Sequence, residues 1–338
     1  MEKILSIIVP AYNSQDYLER CVNSLVVAGK QVEVILVDDG SLDRTGQIMD
    51  EYQTRFPEII KVIHQENRGH GGAINNGLKQ ASGKYIKICD SDDWLDVSGL
   101  NKLLSLINDL EQKQITLDMI LTNYVYDRVA VKKNKVIRFP NLPQAKVFGW
   151  KSVHLKLGQY FMMHSVIYRR TLLTKEAQIS LPEHVSYEDN IFVFEPLKYV
   201  NKMIYFDINL YHYFIGRDDQ SVNESVMLRK IDQQLLVNKR MIDFYSKNID
   251  PKAPMAKYMR FYLEIVMAIS SIILIRGKDE QYLRVKEELW LYLRKHNPKL
   301  YRSFKHRLLG IFLNLPGKPG RKIASGLYLA AHAIYGFN

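Results

Sequence analysis

Cysteine is scarce: Cys21 and Cys89 are the only two in 338 residues. That excludes a disulfide framework, and without a CxxC spacing it excludes a cysteine zinc cluster, so the chain suits a reducing, cytoplasmic setting. Long apolar runs are also missing. The N-terminal MEKILSIIVPAYN meets a proline after a few apolar residues, which is neither a signal peptide nor a span. The stretch Ile265–Ile275 is interrupted by two serines and bounded by Glu264 and Arg276. It falls short of the ~20 residues a bilayer requires and reads as a buried core helix. There is no repeat of 20–50 residues and no low-complexity tract. With 47% hydrophobic and 25% charged residues, wholesale disorder is excluded too.

Acidic residues are absent from Leu289 to Asn338, where nine Lys/Arg lie; the rest of the chain, 38 basic against 36 acidic, is +2 out of a total of +11. A neutral body with a basic tail points to an anionic membrane surface or to nucleic acid. No nucleic-acid motif accompanies it, so nucleic acid is the weaker partner. Leu300, Tyr301, Phe304, Leu308, Ile311, Phe312 and Leu315 are spaced to share one helical face. After a break at Pro316–Gly320, Ile323, Leu327, Ala331 and Ile334 form a second stripe. Basic amphipathic helices of this kind lie in membrane interfaces, and the same pattern also serves ordinary helix packing.

The N-terminal half alternates. Apolar Ile4–Val9, β-branched Val32–Val37, Ile59–His64, Tyr85–Cys89 and Leu117–Tyr126 read as strands. Between them Ser14–Val27, the segment from Ser41 (a plausible N-cap) to Arg55, Gly72–Ala81 and Leu100–Gln112 read as helices. That order predicts an α/β fold with a mainly parallel sheet covered on both faces. Ligands of such sheets bind beyond the carboxyl ends of the strands, which directs attention to Pro10–Asn13, Asp38–Ser41, Gln65–Gly72 and Asp90–Asp93. Residues 131–149 look irregular, and beyond about Met227 the spacing is helical to the end. The expected division is 1–226, with an acceptor part at about 127–226, and 227–338.

Asp90-Ser91-Asp92-Asp93 crowds three carboxylates past a strand, as a bound cation or a solvated turn would. Oxygen ligands favour Mg²⁺ or Mn²⁺ beside substrate phosphates. An EF-hand is excluded by Leu95 and Asn101 at the positions that need Gly and Glu, and a DxDxT phosphatase by Trp94. Asn67-Arg68-Gly69-His70-Gly71-Gly72 is glycine-rich and precedes a helix, suited to close approach by a diphosphate, yet it is neither a P-loop nor a dinucleotide fingerprint.

Taken in order, SIIVPAYN, VDDGS, NRGHGGAINNGLKQASGKYI and DSDDW resemble the family 2 glycosyltransferases of GT-A fold, over roughly residues 1–220. The resemblance implies a UDP-sugar donor, a divalent metal (Mg²⁺ or Mn²⁺), inversion at the anomeric carbon and a glycan acceptor, in bacterial relatives often lipid-linked. It places Pro10, Ala11, Tyr12, Asn13 and Asp39 at the uridine. Asn67, Gly69, Gly72 and Asn75 fall near the diphosphate, Asp90 and Ser91 near the ribose, and Asp92 with Asp90 on the metal. Glu188-Asp189 matches the family's catalytic pair, with Asp189 as base and Glu188 orienting it. Arg217, after a Tyr-x-Tyr strand at Tyr211–Tyr213, becomes a clamp for the diphosphate. Trp94 and Trp150 are candidates for sugar stacking and His212 for a late metal or phosphate contact, each with core packing as the alternative. One departure stands out: where many members carry Ala-Arg-Asn, this chain has Ala73-Ile74-Asn75, with Arg68 and His70 just upstream. The resemblance further implies a cytoplasmic enzyme, peripheral on the inner face of the cell membrane, in cell-surface polysaccharide assembly. A non-catalytic nucleotide-sugar-binding subunit is the competing reading, disfavoured because both acidic motifs are kept; a homo-oligomer stays open.

Overall fold

The computed structural model describes residues 3–128, 133–156, 158–215, 223–277 and 279–335. The chain divides into two compact units, Met1–Gly216 and Arg217–Asn338.

The first unit begins β1 (Leu5–Ala11), α1 (Leu18–Val26), β2 (Val32–Asp38), α2 (Thr45–Arg55), β3 (Ile60–His64), α3 (Gly69–Gln80) and β4 (Tyr85–Ile88). All seven residues of β1 and of β2 are buried, as an apolar strand covered on both faces requires. α1 turns Leu18, Cys21, Val22 and Leu25 inward at three- and four-residue spacing, each buried aliphatic contributing about 1.5–3 kcal/mol. The order β3-β2-β1-β4 is parallel throughout, so the carboxyl ends of these strands share one edge.

Beyond β4 the sheet becomes mixed. β5 (Trp94–Leu95), α4 (Val97–Gln112), β6 (Met119–Arg128), β7 (Lys133–Ile137), β8 (Val166–Arg169), α5 (Asp189–Phe194) and β9 (Met203–Ile215) follow. β8 inserts antiparallel between β4 and β6, β9 runs parallel to β6, and β5 pairs antiparallel to β9. Because β5 joins β9, the turn at Asp90–Asp93 is pinned against the Tyr211–Tyr213 stretch of β9.

Several expectations need correction. Residues 131–149 are not wholly irregular: β7 pairs antiparallel with β6 on one side, and a one-sided edge strand needs no continuous apolar run. Ser41 does not cap α2, which begins at Thr45 with its N–H on the Asp43 carboxylate (2.9 Å). α3 starts at Gly69, so the glycine segment is the helix's first turn rather than a loop before it.

The second unit is helical: α6 (Glu224–Arg229), α7 (Ile231–Asn248), α8 (Ala256–Arg276), α9 (Glu280–His296), α10 (Pro298–Lys305), α11 (Leu308–Leu313) and α12 (Gly317–Tyr335). By length and hydropathy α8 is apolar enough to cross a membrane, but 72% of its most apolar 18-residue window is buried. Its serines are satisfied there: Ser270 bonds Asn238 (2.6 Å), and Ser271 accepts from the Trp290 indole (3.0 Å). The single stripe expected from Leu300 to Leu315 is split. The chain bends at His306–Arg307; Leu300 and Phe304 are buried on α10, whereas Leu308 (63%) and Ile311 (47%) are exposed on α11. The break at Pro316–Gly320 is also shorter than expected, since α12 already begins at Gly317 and takes Pro319 into its first turn.

Candidate active site

The carboxyl edge of the parallel strands is knitted by side chains from successive strand ends. Asn13 sits at φ 48 after β1, its N–H donating to Ser41 Oγ (3.0 Å) and its Oδ1 accepting from Leu42 N–H (2.8 Å). Asp39, buried past β2, accepts from the Gln65 amide (2.6 Å) and from Arg68 N–H (2.8 Å), which ties β2 to the entrance of α3. Ser14 and Ser91 share a hydroxyl hydrogen bond (2.7 Å), joining the ends of β1 and β4. Tyr12 stands half exposed on this edge. Pro10, Ala11, Tyr12, Asn13, Asp39 and Ser91 are thus brought to one edge of the sheet.

Beside them lies a dense acid–base cluster. The His70 ring bridges two carboxylates, Nδ1 to Glu188 (2.5 Å) and Nε2 to Asp90 (2.9 Å). Burial opposes a charge on His70, but the two acids outweigh it and hold the imidazole well above its usual pKa. Burial likewise acts to raise Asp90, and His70 outweighs it, holding that carboxyl below its usual range. Glu188 precedes α5 and is buried; Asp189 opens the helix. Burial first, and then the neighbouring Glu188 charge, push Asp189 up to about 7. A carboxylate titrating there is a competent proton acceptor near neutral pH.

Asp93 is fully buried and accepts from the Tyr211 hydroxyl and from Phe214 N–H (2.8 Å). Burial, then Asp92 and Asp90, drive it well above the usual carboxylate range. Lys87, also fully buried, donates to the carbonyls of Met163 (2.9 Å), His164 (2.7 Å) and Val166 (3.3 Å). Burial lowers it to about 7. His164 packs edge-on to Tyr211 (4.7 Å), and burial takes it down to about 4, so its ring is neutral. Its Nδ1 is buried without a hydrogen-bond partner among the described residues.

Asp90, Asp93 and His164 bring ligand atoms within 4.8 Å of one another, a donor set of two oxygens and one nitrogen that fits a divalent cation. That group takes in Asp90 but not Asp92, whose backbone carbonyl accepts from Arg20 (2.7 Å). The sequence expectation puts the metal on Asp92 with Asp90 and includes neither His164 nor Asp93. Nothing near His164 marks it in sequence; only the antiparallel insertion of β8 brings it beside Asp90.

Other expected residues have different surroundings. A Cβ on Gly69 would lie 2.8 Å from His184 N, one on Gly71 2.5 Å from the Pro182 carbonyl, and one on Gly72 2.5 Å from Arg68 Cβ. What approaches these glycines closely is therefore the chain's own 181–184 segment and Arg68. Asn75 exchanges two hydrogen bonds with the Leu181 backbone (2.8 and 2.9 Å), and Asn67 accepts from Gly69 N–H. Arg68 pairs with Glu183 (3.1 Å) on the rim of a cleft of about 630 Å³ that also takes in Lys79 and Arg170. Trp150 is core, its indole donating to the Val200 carbonyl (2.6 Å). Trp94 is already stacked, on His212 (5.1 Å) and under Arg20 (4.0 Å), and His212 also pairs with Asp127 (3.2 Å). Trp150 is buried in the core, and Trp94 and His212 form a stacked pair. Arg217 lies outside the described residues.

Parallel strands whose carboxyl ends carry Asp39 and Asp90, with a second acidic pair brought alongside, define an α/β protein built to bind a ligand at that edge. Residues 6–172 match the family model "Glycosyl transferase family 2", and the chain belongs to that family of glycosyltransferases. It is 28% identical over 261 residues to EpsH of Bacillus subtilis (strain 168), covering 73% of each chain. It is also 28% identical over 228 residues to the poly(ribitol-phosphate) beta-N-acetylglucosaminyltransferase TarS of Staphylococcus aureus (strain MW2), covering 65% of this chain and 37% of TarS. The crystal structure of S. aureus TarS 1–349 with UDP-GlcNAc superposes with a TM-score of 0.65 at 20% identity, over 97% of this chain and 92% of that one. The mannosyltransferase PcManGT of Pyrobaculum calidifontis, with GDP-Man and Mn²⁺, superposes at 0.50 and 15% identity, over 97% and 88%. The fold is accordingly GT-A, followed by a helical C-terminal region.

Proposed function

We propose that this glycosyltransferase moves a sugar, with inversion, from a UDP-sugar to a hydroxyl of a glycan acceptor in cell-surface polysaccharide assembly. The observation that carries the reading is the placement of Asp189, pushed up to about 7, in the same cluster as Asp90 at the strand edge. The edge residues Pro10, Ala11, Tyr12, Asn13, Asp39, Asp90 and Ser91 hold the nucleotide. Asp189 takes the proton of the acceptor hydroxyl as its oxygen attacks the anomeric carbon, and the bond to the UDP oxygen breaks on the opposite face. Glu188, buried and held by His70, keeps Asp189 aimed. Asp90 with Asp93 and His164, or with Asp92, would hold Mg²⁺ or Mn²⁺, which would supply neutralisation of the charge on the diphosphate. TarS, with its bound UDP-GlcNAc, supports an N-acetylhexosamine or hexose donor and a polymer hydroxyl as acceptor. The basic tail and the exposed apolar residues of α11 and α12 support attachment to an anionic, cytoplasmic membrane surface where such acceptors lie.

The test is a panel of UDP-sugars with and without Mg²⁺ or Mn²⁺, read as UDP release on adding acceptor glycan, with the product anomer assigned by NMR. Acceptor-dependent UDP release with an inverted anomer supports the proposal. A retained anomer overturns inversion, equal rates in EDTA overturn the metal, and the absence of turnover with every donor overturns the reading.

A further inference from the structure

His70 joins two segments that are far apart in sequence: Asp90 after β4 on one ring nitrogen and Glu188, 118 residues downstream of His70, on the other. Asp90 is fixed by its N–H on the Tyr211 hydroxyl (3.1 Å), and the 181–184 stretch is fixed on α3 by Asn75, by Arg68 and by the close approach at Gly69 and Gly71. Those grips hold the chain at residues 181–184, upstream of Glu188. His70 itself reaches Glu188. The ring stands on the first turn of α3, where Gly71 leaves room: a Cβ there would lie 3.1 Å from Glu188 Cγ. Both imidazole nitrogens lie within hydrogen-bonding distance of a carboxylate oxygen, so the rigid ring bridges the two acids in fixed directions, which a flexible side chain such as lysine does not fix in angle.

We propose that His70 is a positioning residue, a rigid tether that sets the spacing between the Glu188–Asp189 pair and the Asp90 end of β4. This rests on the reading of Asp189 as the base. It also gives a physical sense to the departure at Ile74: this chain places an imidazole four residues earlier and commits it to two carboxylates. Losing a hydrogen bond to a charged group loosens what it holds by roughly 10- to 100-fold in equilibrium terms. A base displaced by even an ångström loses rate without losing affinity for the donor.

The test compares His70→Leu and His70→Gln with the wild type in two measurements. Hydrogen exchange across residues 185–192 should quicken by about 10-fold or more in His70→Leu, with β1 and β2 unchanged. In the same variant kcat should fall roughly 10- to 100-fold while the KM for the donor stays within about twofold. His70→Gln, which keeps an amide donor for one carboxylate, should lie between the two and stays informative if the leucine variant does not fold. Unchanged exchange at 185–192 overturns the tether, whether or not the protein turns over a sugar nucleotide. Faster exchange with unchanged kcat overturns its part in transfer, and a rise in KM with constant kcat assigns His70 to donor binding instead. A wild type without activity counts against the proposed function alone, because the exchange measurement still decides the tether.

Discussion

Tyr211 gives its hydroxyl proton to the buried carboxylate of Asp93 and takes the backbone N–H of Asp90 on the same oxygen. One phenol thus holds both ends of the acidic turn onto β9. Tyr211→Phe leaves a buried N–H without its partner and a buried carboxyl with one fewer. The expected loss is about 1–3 kcal/mol of stability, read from urea unfolding, together with weaker UDP binding by calorimetry. A variant as stable as the wild type would place the rigidity of the turn elsewhere.

Asp189→Asn removes the proton acceptor and little else. Transfer should drop by roughly 10²–10⁴-fold, whereas the dissociation constant for UDP should stay within about twofold. Because Asp189 titrates at about 7, kcat of the wild type should rise as pH increases through that value and flatten above it. A profile flat from pH 5.5 to 8, or an Asp189→Asn variant with near-normal turnover, would move the base to another residue.

Lys87 is the donor to three main-chain carbonyls in the segment that carries His164. Lys87→Met keeps the volume and leaves those carbonyls without their ammonium, an expected cost of roughly 3 kcal/mol. The pH dependence has a definite sign. With a folded pKa of about 7, below that of a free lysine, the unfolded chain binds the extra proton between pH 7 and about 10. The advantage of the wild type over the methionine variant should therefore grow as pH rises across that window and be constant below it. Parallel unfolding curves from pH 6 to 9 check both statements.

How far the residues announce this arrangement depends on whether the information is local. Val32–Val37 and Asp38–Asp39 are legible, because a β-branched apolar run ending in acids is a property of one segment, and so is the acidic turn at Asp90–Asp93. Glu188 and Asp189 are legible through resemblance alone; their own neighbourhood says no more than that a helix begins. His164 is silent, since its meaning comes from β8 pairing between β4 and β6, a choice made over some 80 residues of intervening chain. The glycines carry information of the same non-local kind. A run of Gly at a helix start signals that something comes close, and the structure identifies that neighbour as residues 181–184 of the same chain. The tail misleads through continuity: periodicity carries one stripe across His306–Arg307, where the backbone turns and separates buried Phe304 from exposed Leu308.

That separation makes the tail testable as a surface. Leu308, Ile311, Ile323, Leu327 and Leu329 are all between 45% and 63% exposed, within the segment Leu289–Asn338 that holds nine basic residues and no acidic one. Apart from Arg307, which pairs with Glu264 (2.9 Å), the cations of this stretch lie beside apolar side chains as the headgroup region of an anionic bilayer requires, at about 1 kcal/mol for each Lys or Arg near the surface plus the burial of the apolar groups. The full-length protein should co-sediment with vesicles containing phosphatidylserine at low salt, and the bound fraction should fall as salt shortens the range of the attraction. Replacing Leu308, Ile311, Ile323 and Leu327 together by Gln should lower the bound fraction at least about tenfold while leaving UDP affinity unchanged, because each of the four is already open to solvent. Wild type that stays in the supernatant at low salt, and forms dimers that the four substitutions dissolve, would assign this surface to a second copy of the chain instead.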